Sequence, residues 1–324
     1  MENSLLIRLG LSTAFLLVLE LIYFKIADLY NIIDKPNERS SHVNPIIRGG
    51  GIIFVFAILL WYFATELWPW FVLATVMVAI ISFLDDVTSL NVYVRFFFQF
   101  IALGLLFFQL WPLHWPFYFL VLAVPFCVGT INAFNFMDGI NGITGVYSLV
   151  TIGSFWFINE QLHFTSNSLL MYSAMGVLVF LFFNFRKTAR CFAGDVGSVT
   201  MALILIFIIL QLINATGNFL WPLLLLVYGT DSLVTIFSRL KRKENILTPH
   251  RTHLYQYLSN ELKISQRVVS VSYGIAQGIL NVMIIYCLIN SKNSWALVIS
   301  IIFVLIYFFV RRSVMIKIKA TTSL

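Results

Sequence analysis

Residues 132–145 read NAFNFMDGINGITG and separate two long apolar runs. Within this stretch Asn132, Asn135, Asp138 and Asn141 each follow the last by three positions, and Gly139, Gly142 and Gly145 repeat the interval. Side chains three apart are neighbours on a helix, so adjacent members of the series can act on one object while the stripe slowly rotates. The glycines let backbone or a bulky ligand come close, and they let a helix break. The spacing predicts a helix end that opens onto a polar site. A plain loop between two membrane spans is the competing account.

Outward from that stretch the chain is apolar. Of its 324 residues 60% are hydrophobic and 11% charged, with a mean hydropathy of +0.91. Soluble domains carry about 25% charged residues. Runs of about 20 apolar residues recur from end to end, which predicts an all-α polytopic membrane protein forming a single domain over residues 1–324. About eleven transmembrane helices are expected: 5–24, 51–67, 69–84, 95–111, 117–133, 143–158, 167–184, 198–213, 218–237, 267–289 and 295–310. The first run is too long for a signal-peptide core and lacks a cleavage site, so it reads as an uncleaved span. Cys127, Cys191 and Cys287 stand far apart, which predicts neither a disulfide framework nor a zinc site.

The net charge of +7 could suggest a nucleic-acid partner until the bases are placed along this topology. Alternating loops put 19 of the 21 Lys and Arg on one side, leaving Arg8 and Lys292 opposite. The positive-inside rule makes the basic side cytoplasmic, so the N-terminus is periplasmic and the C-terminus cytoplasmic. The charge then belongs to the lipid bilayer, and no nucleic-acid partner is expected. Tail residues Arg311, Arg312, Lys317 and Lys319 read as headgroup anchors.

The concentrated polar chemistry falls on the cytoplasmic loops 25–50, 85–94, 134–142, 185–197 and 238–266, which are expected to form one active face. The first contains DKPNERSSHVNPIIRGGG, where His42 and Arg48 precede three glycines at the start of a span. Cations beside a helix start suit phosphate, although a basic loop with a flexible hinge fits too. Asp85 and Asp86 adjoin at a span end; adjacent carboxylates repel unless a cation or a proton intervenes. In FRKTARCFAGDVGS, Asp195 sits among glycines at a helix start, where it could cap the helix or ligate a metal. Asp231 lies roughly 10 Å inside its span at the helical rise, a depth at which a carboxylate is functional or paired. In LTPHRTHLYQYL, His250, Arg251 and His253 could hold phosphate, a nucleotide base or a metal, or could precede a surface helix.

Taken together, DKPNERSSH with RGGG, Asp85-Asp86, NAFNFMDGINGITG, AGDVGS and HRTHLYQ resemble the polyprenyl-phosphate N-acetylhexosamine-1-phosphate transferases, the glycosyltransferase family 4 superfamily that includes the MraY and WecA types. The resemblance covers nearly the whole chain. It is most similar to the WbpL-like enzymes that start O-antigen or related surface glycans.

The resemblance implies a bacterial inner-membrane enzyme. It would transfer a sugar-1-phosphate from a UDP-N-acetyl sugar to undecaprenyl phosphate on the cytoplasmic side and release UMP. It implies Mg2+, with Mn2+ able to substitute, held by Asp195 and Asp138. Asp85, Asp86 and Asp138 would be catalytic. Asn132, Asn135 and Asn141 would meet the nucleotide or sugar, and His42, Arg48, His250, Arg251 and His253 the phosphates or uridine. A homodimer is left open.

Two positions depart from the family. Asn141 stands where MraY-type members carry a second aspartate, and Asn141→Asp is expected to be tolerated or merely to shift the magnesium dependence. His250-Arg251-Thr252-His253 replaces a histidine triplet, which argues against a UDP-MurNAc-pentapeptide substrate. A lipid-linked sugar transporter or flippase would show polar groups near mid-span, and a UbiA-type prenyltransferase would need two spaced aspartate clusters.

Overall fold

The computed structural model describes residues 2–34, 45–110, 117–245, 248 and 250–322. Each apolar run expected to span a membrane coincides with a helix: α1 (Glu2–Leu29), α2 (Ile52–Thr65), α3 (Pro69–Thr88), α4 (Val92–Gln109), α5 (Phe117–Met137), α6 (Ile143–Leu162), α7 (Asn167–Asn184), α8 (Gly194–Thr216) and α9 (Leu226–Lys241). A single turn, α10 (Leu254–Gln256), precedes α11 (Gln266–Ile289) and α12 (Asn293–Thr322). The chain is an all-α, multi-pass membrane protein. Among the described residues nine helices are long and apolar enough to cross a bilayer, against the eleven spans expected. The two outside that count are α2, which has 14 residues, and α6, whose end is diluted by Asn159, Glu160 and Gln161.

The bundle is built around α8. Its run MALILIFIILQLI is apolar on every side, and Val196 to Ile213 contains no exposed residue. A helix apolar all round belongs in a core; here α2, α3, α5 and α6 surround it. Near its start Gly197 faces Gly51, at the start of α2. A methyl group on Gly197 would stand 2.6 Å from the Gly51 Cα, so the two helices cross backbone against backbone.

The ninth expected span is broken. Trp221–Leu225 forms a 3₁₀ turn with Pro222 in it, and α9 proper begins at Leu226. Such a start leaves backbone N–H groups without helical partners. The Val227 N–H is satisfied by Gln277 Oε1 of α11 at 2.9 Å, and the same oxygen accepts the Tyr147 hydroxyl at 2.7 Å. Gln277 also donates to Asn281, which donates to Ser154. These mid-span polar groups bond to one another, which is how polar side chains glue helices in lipid.

A small β element positions the first loop. β1 (Ile33–Asp34) pairs antiparallel with β2 (Ile46–Ile47), and Ile47 bridges to Cys191 just before α8. Backbone bonds extend the zipper: Phe192 N to Ile47 O at 2.8 Å, Gly50 N to Phe192 O at 2.8 Å, and Gly51 N to Ala193 O at 3.0 Å. Arg48, which follows β2, is thereby delivered to the start of α8.

Candidate active site

Asp86 ends α3 facing the start of α8. Its carboxylate accepts the N–H of Asp195 at 2.9 Å and of Val196 at 3.0 Å, and Arg48 Nε lies 2.7 Å from Oδ1. This is an N-cap supplied by another helix: an anion satisfies two orphan amides at the positive end of the α8 dipole. Asp85 has different partners. It accepts the Leu90 N–H at 2.6 Å and pairs with Arg95 Nη1 at 2.8 Å, tying the turn after α3 to the first turn of α4. The adjacent acids expected to repel are separated into two ion pairs.

Asp195 receives what these arginines have left. Arg48 Nη2 and Arg95 Nη1 each stand 3.4 Å from it, one at each carboxylate oxygen. It faces a small polar cleft lined also by Ser82, Arg95, Gln99, Asn132 and Asn135. Asn135 Nδ2 donates to Ser198 Oγ at 3.3 Å, which ties the end of α5 to the first turn of α8. Asn132 donates to the Val128 carbonyl one turn back.

Asp138 follows the last turn of α5, where Thr144 at the start of α6 donates to its Oδ1 at 2.7 Å. Burial pushes this carboxyl up to about 7, against the Thr144 hydrogen bond, and the nearby Asp195 adds to the rise. The helix break at the glycines is the one the spacing predicts: Gly142 adopts φ +86°, which L side chains rarely adopt.

The three-residue series does not converge on one object. Asn132 and Asn135 line the cleft, whereas Asn141 is buried on the far side of the break. There Asn141 Nδ2 donates to the Arg186 carbonyl at 3.0 Å, its N–H donates to Gln266 Oε1, and its carbonyl accepts the Ser270 hydroxyl. Its carboxamide holds the Arg186 carbonyl, while its backbone N–H and carbonyl join the turn after α5 to α11. Asp86, expected to be catalytic, caps α8 and holds Arg48.

The HRTH segment packs against Phe136 at the end of α5. The His250 and His253 rings stack with centroids 4.9 Å apart and lie 6.0 and 6.3 Å from the Phe136 ring. Tyr255 OH donates to the Phe136 carbonyl at 2.9 Å. Burial, then His253 and Arg239, hold the His250 imidazole down at about 4. Arg251 is half-buried beside them, and His42 lies outside the described residues. Arg311 is no headgroup anchor: it is buried and donates to Thr235 Oγ1 at 2.7 Å, to Tyr307 OH at 3.2 Å and to the Thr252 carbonyl at 2.8 Å. Sequence reasoning passed over Arg95, Thr144 and Arg311 as site residues; only a polar side chain at a span end signalled each.

Beside the polar cleft, and sharing Asn132 with it, lies an apolar cavity of about 620 Å³ between α5, α9 and α12. Its walls include Phe126, Phe134, Leu226, Leu233, Phe237 and Phe308.

The model of glycosyl transferase family 4 matches residues 68–213, the segment that carries Asp85, Asp86, Arg95, Asp138 and Asp195. Across that segment the chain is similar to glycosyl transferase family 4. Over 285 residues the chain is 26% identical to the undecaprenyl-phosphate alpha-N-acetylglucosaminyl 1-phosphate transferase of Yersinia pestis, covering 80% of this chain and 76% of that protein. It is 25% identical to the Escherichia coli protein of the same description over 79% of this chain and 77% of that one. A probable undecaprenyl-phosphate N-acetylglucosaminyl 1-phosphate transferase of Bacillus subtilis is 26% identical over 90% of this chain and 86% of its own length. Arg48 and the HRTH segment lie outside the stretch matched by the family 4 model.

Proposed function

We propose that this protein transfers an N-acetylhexosamine-1-phosphate from a UDP-sugar to undecaprenyl phosphate, releasing UMP and starting a lipid-linked surface glycan. The observation that carries the reading is the junction at Asn132, where a cleft holding Asp195, Arg95 and the carboxamides of Gln99, Asn132 and Asn135 meets a large apolar cavity. A polyprenyl phosphate has that dual character, and so do the acceptors named in the descriptions of the relatives.

In the proposed reaction a phosphate oxygen of the lipid attacks the sugar-linked phosphorus of the UDP-sugar. The new P–O bond forms as the bond from that phosphorus to the bridging oxygen breaks, and the electron pair leaves with UMP. Catalysis of such a step is mainly positioning and charge neutralisation. Arg95, held by Asp85, presents its guanidinium to the cleft, and Arg48, held by Asp86, reaches Asp195 at its edge. Asn132 and Asn135 supply carboxamides beside them, and the HRTH segment is the candidate for the uridine and phosphate contacts.

Asp85 and Asp86 each hold an arginine nitrogen within 2.8 Å, whereas the arginine contacts of Asp195 are both 3.4 Å long, which leaves Asp195 freer to meet a divalent cation. Among the described residues no group of three or more His, Cys, Asp or Glu has metal-holding geometry. Magnesium takes one or two protein carboxylates and completes its shell with substrate oxygens and water. Asp195 and Asp138 are the residues that would hold it, and when bound it would neutralise the diphosphate. Manganese would substitute. The cleft would face the cytoplasm of a bacterial inner membrane, with the loops 25–50, 85–94, 134–142, 185–197 and 238–266 on that face.

The test is incubation of the purified protein with undecaprenyl phosphate, magnesium and each of a panel of labelled UDP-N-acetyl sugars. A lipid-linked diphosphate sugar formed with stoichiometric UMP is expected. UDP as the leaving nucleotide, or no lipid product from any sugar, overturns the reading.

A further inference from the structure

Asp231 of α9 and His253 of the HRTH segment are 22 residues apart in sequence, and Asp231 Oδ1 lies 3.0 Å from His253 Nδ1. The carboxylate also accepts the Leu254 N–H at 3.3 Å and, through Oδ2, the Tyr273 hydroxyl at 2.5 Å. Asp231 is 0% exposed and His253 1%. A carboxylate only accepts, so Nδ1 must carry a proton to bond to it. The other ring nitrogen, Nε2, is buried and has no hydrogen-bond partner among the described residues. Leaving a buried polar atom unpaired is costly, and each such atom in a native protein calls for a reason.

The surroundings supply one. The ring is stacked between His250 and Tyr255, with centroids 4.9 and 5.8 Å away, and Phe136 lies two residues before Asp138. Arg311 anchors the carbonyl of Thr252, so the loop carrying His253 is fixed from α12 as well as from α9. Such a fixed ring has one nitrogen committed to a carboxylate and the other uncommitted. A histidine whose tautomer and orientation are set from behind is built this way.

We propose that Asp231 is a positioning residue of the transfer site: it holds His253 Nδ1–H and supports the imidazolium, so that Nε2–H is the donor offered to a substrate phosphate oxygen. The inference rests on the transferase reading above and adds to it a residue buried within a membrane span. The phosphate oxygen belongs either to the UDP-sugar or to the lipid phosphate, and the two sources give different kinetic signatures.

The experiment is a double-mutant cycle on the full-length protein with Asp231→Asn and His253→Gln, reading kcat and the KM for each substrate, with thermal unfolding alongside. Asparagine keeps an acceptor for Nδ1–H and for the Leu254 N–H but removes the charge. Asp231→Asn is expected to lower kcat/KM about 10- to 100-fold, the range for loss of a carboxylate that orients a working histidine. In the His253→Gln background it is expected to cost less than about twofold further, because residues acting as a unit are non-additive. A rise in KM confined to the UDP-sugar assigns the phosphate oxygen to the nucleotide; one confined to undecaprenyl phosphate assigns it to the lipid.

If Asp231 merely braces Leu254 and Tyr273, the same factor is lost in both backgrounds, and the proposal falls. It falls too if Asp231→Asn turns over like the unaltered protein. Should Asp231→Asn not fold, nitrogen NMR of the unaltered protein with labelled histidine decides. His253 must carry a proton on Nδ1 without substrate, and with UDP-N-acetylglucosamine or undecaprenyl phosphate bound it must carry one on Nε2 as well; an Nδ1 without a proton, or an Nε2 that stays unprotonated with both, overturns the proposal. An unaltered protein that forms no lipid-linked product from any UDP-sugar fails the transferase reading instead, while the Nδ1–H assignment is still read from the substrate-free spectrum.

Discussion

Arg48 Nε stands 2.7 Å from Asp86 Oδ1, and the same carboxylate caps α8 through the amides of Asp195 and Val196. One buried acid thus joins the first loop, the end of α3 and the start of the central helix. Asp86→Ala is expected to cost about 1–2 kcal/mol through the lost cap alone. Releasing Arg48 should lower activity as well. Thermal unfolding in detergent together with a transfer assay checks both; an Asp86→Ala protein as stable as the original would remove the cap from the account.

Asp195→Asn should behave in the opposite way. Its two cation contacts are both 3.4 Å long, so the fold should lose little when the charge goes. Activity should nearly vanish, because an amide neutralises a divalent cation far less well than a carboxylate. A magnesium titration of the variant decides the point, and retention of more than about half the activity at saturation would sink the metal assignment.

For Asn141 the structure reverses the expectation drawn from sequence. Its Nδ2 donates to the carbonyl of Arg186, and a carboxylate cannot donate. Asn141→Asp should therefore destabilise the protein at least as much as Asn141→Ala, which should cost about 1–2 kcal/mol for the lost bond and the stranded carbonyl. The KM for UDP-sugar should stay near its original value in whatever fraction remains folded. A selective rise in KM with an unchanged unfolding midpoint would restore the substrate role.

Which of these roles could be read from sequence follows the range of the interactions. The helices were legible because hydropathy is local: each apolar run reports its own preference for lipid. The polar face was legible because residue type is local too, and Arg48, Asp138 and Asp195 carry their chemistry wherever they are placed. The role of Asp86 was not, since whether an acid at the end of α3 caps α8 depends on which helix lies beside it, 109 residues onward. For Asn141 too the partners were out of reach: its interval placed it with Asn132 and Asn135, but α5 ends at Met137 and the turn that follows brings it to Arg186 and Gln266. Arg311 looked like one more base in a basic tail until α9 and the HRTH loop closed over it.

The pH dependence of stability should carry a contribution from His250. Its folded pKa of about 4 lies below the ordinary value of 6.5, chiefly through burial. The unfolded chain takes up the proton first on acidification, so this group destabilises the fold as pH falls from about 6.5 towards 4 and is neutral in its effect above that window. His250→Gln should flatten the fall in unfolding midpoint between about pH 7 and pH 5. An unchanged slope in the variant would show that other groups account for it.

Orientation in the membrane is testable directly. Reporter tags fused after residue 324 should sense the cytoplasm, and tags at the N-terminus the periplasm, because 19 of the 21 basic residues sort to one set of loops. A periplasmic C-terminus would overturn the placement of the active face.

Gly51 and Gly197 meet where α2 crosses α8, one turn from both Arg48 and Asp195. A saturation screen scored by loss of function would rank these two glycines beside the aspartates, although neither has a side chain to contribute to chemistry. What the screen would detect at that crossing is the gap between two main chains, since any added carbon pushes the arginine's loop away from the carboxylate it serves. Phenotype alone would therefore mistake spacing for reactivity here, and only a paired measurement of folded abundance tells them apart.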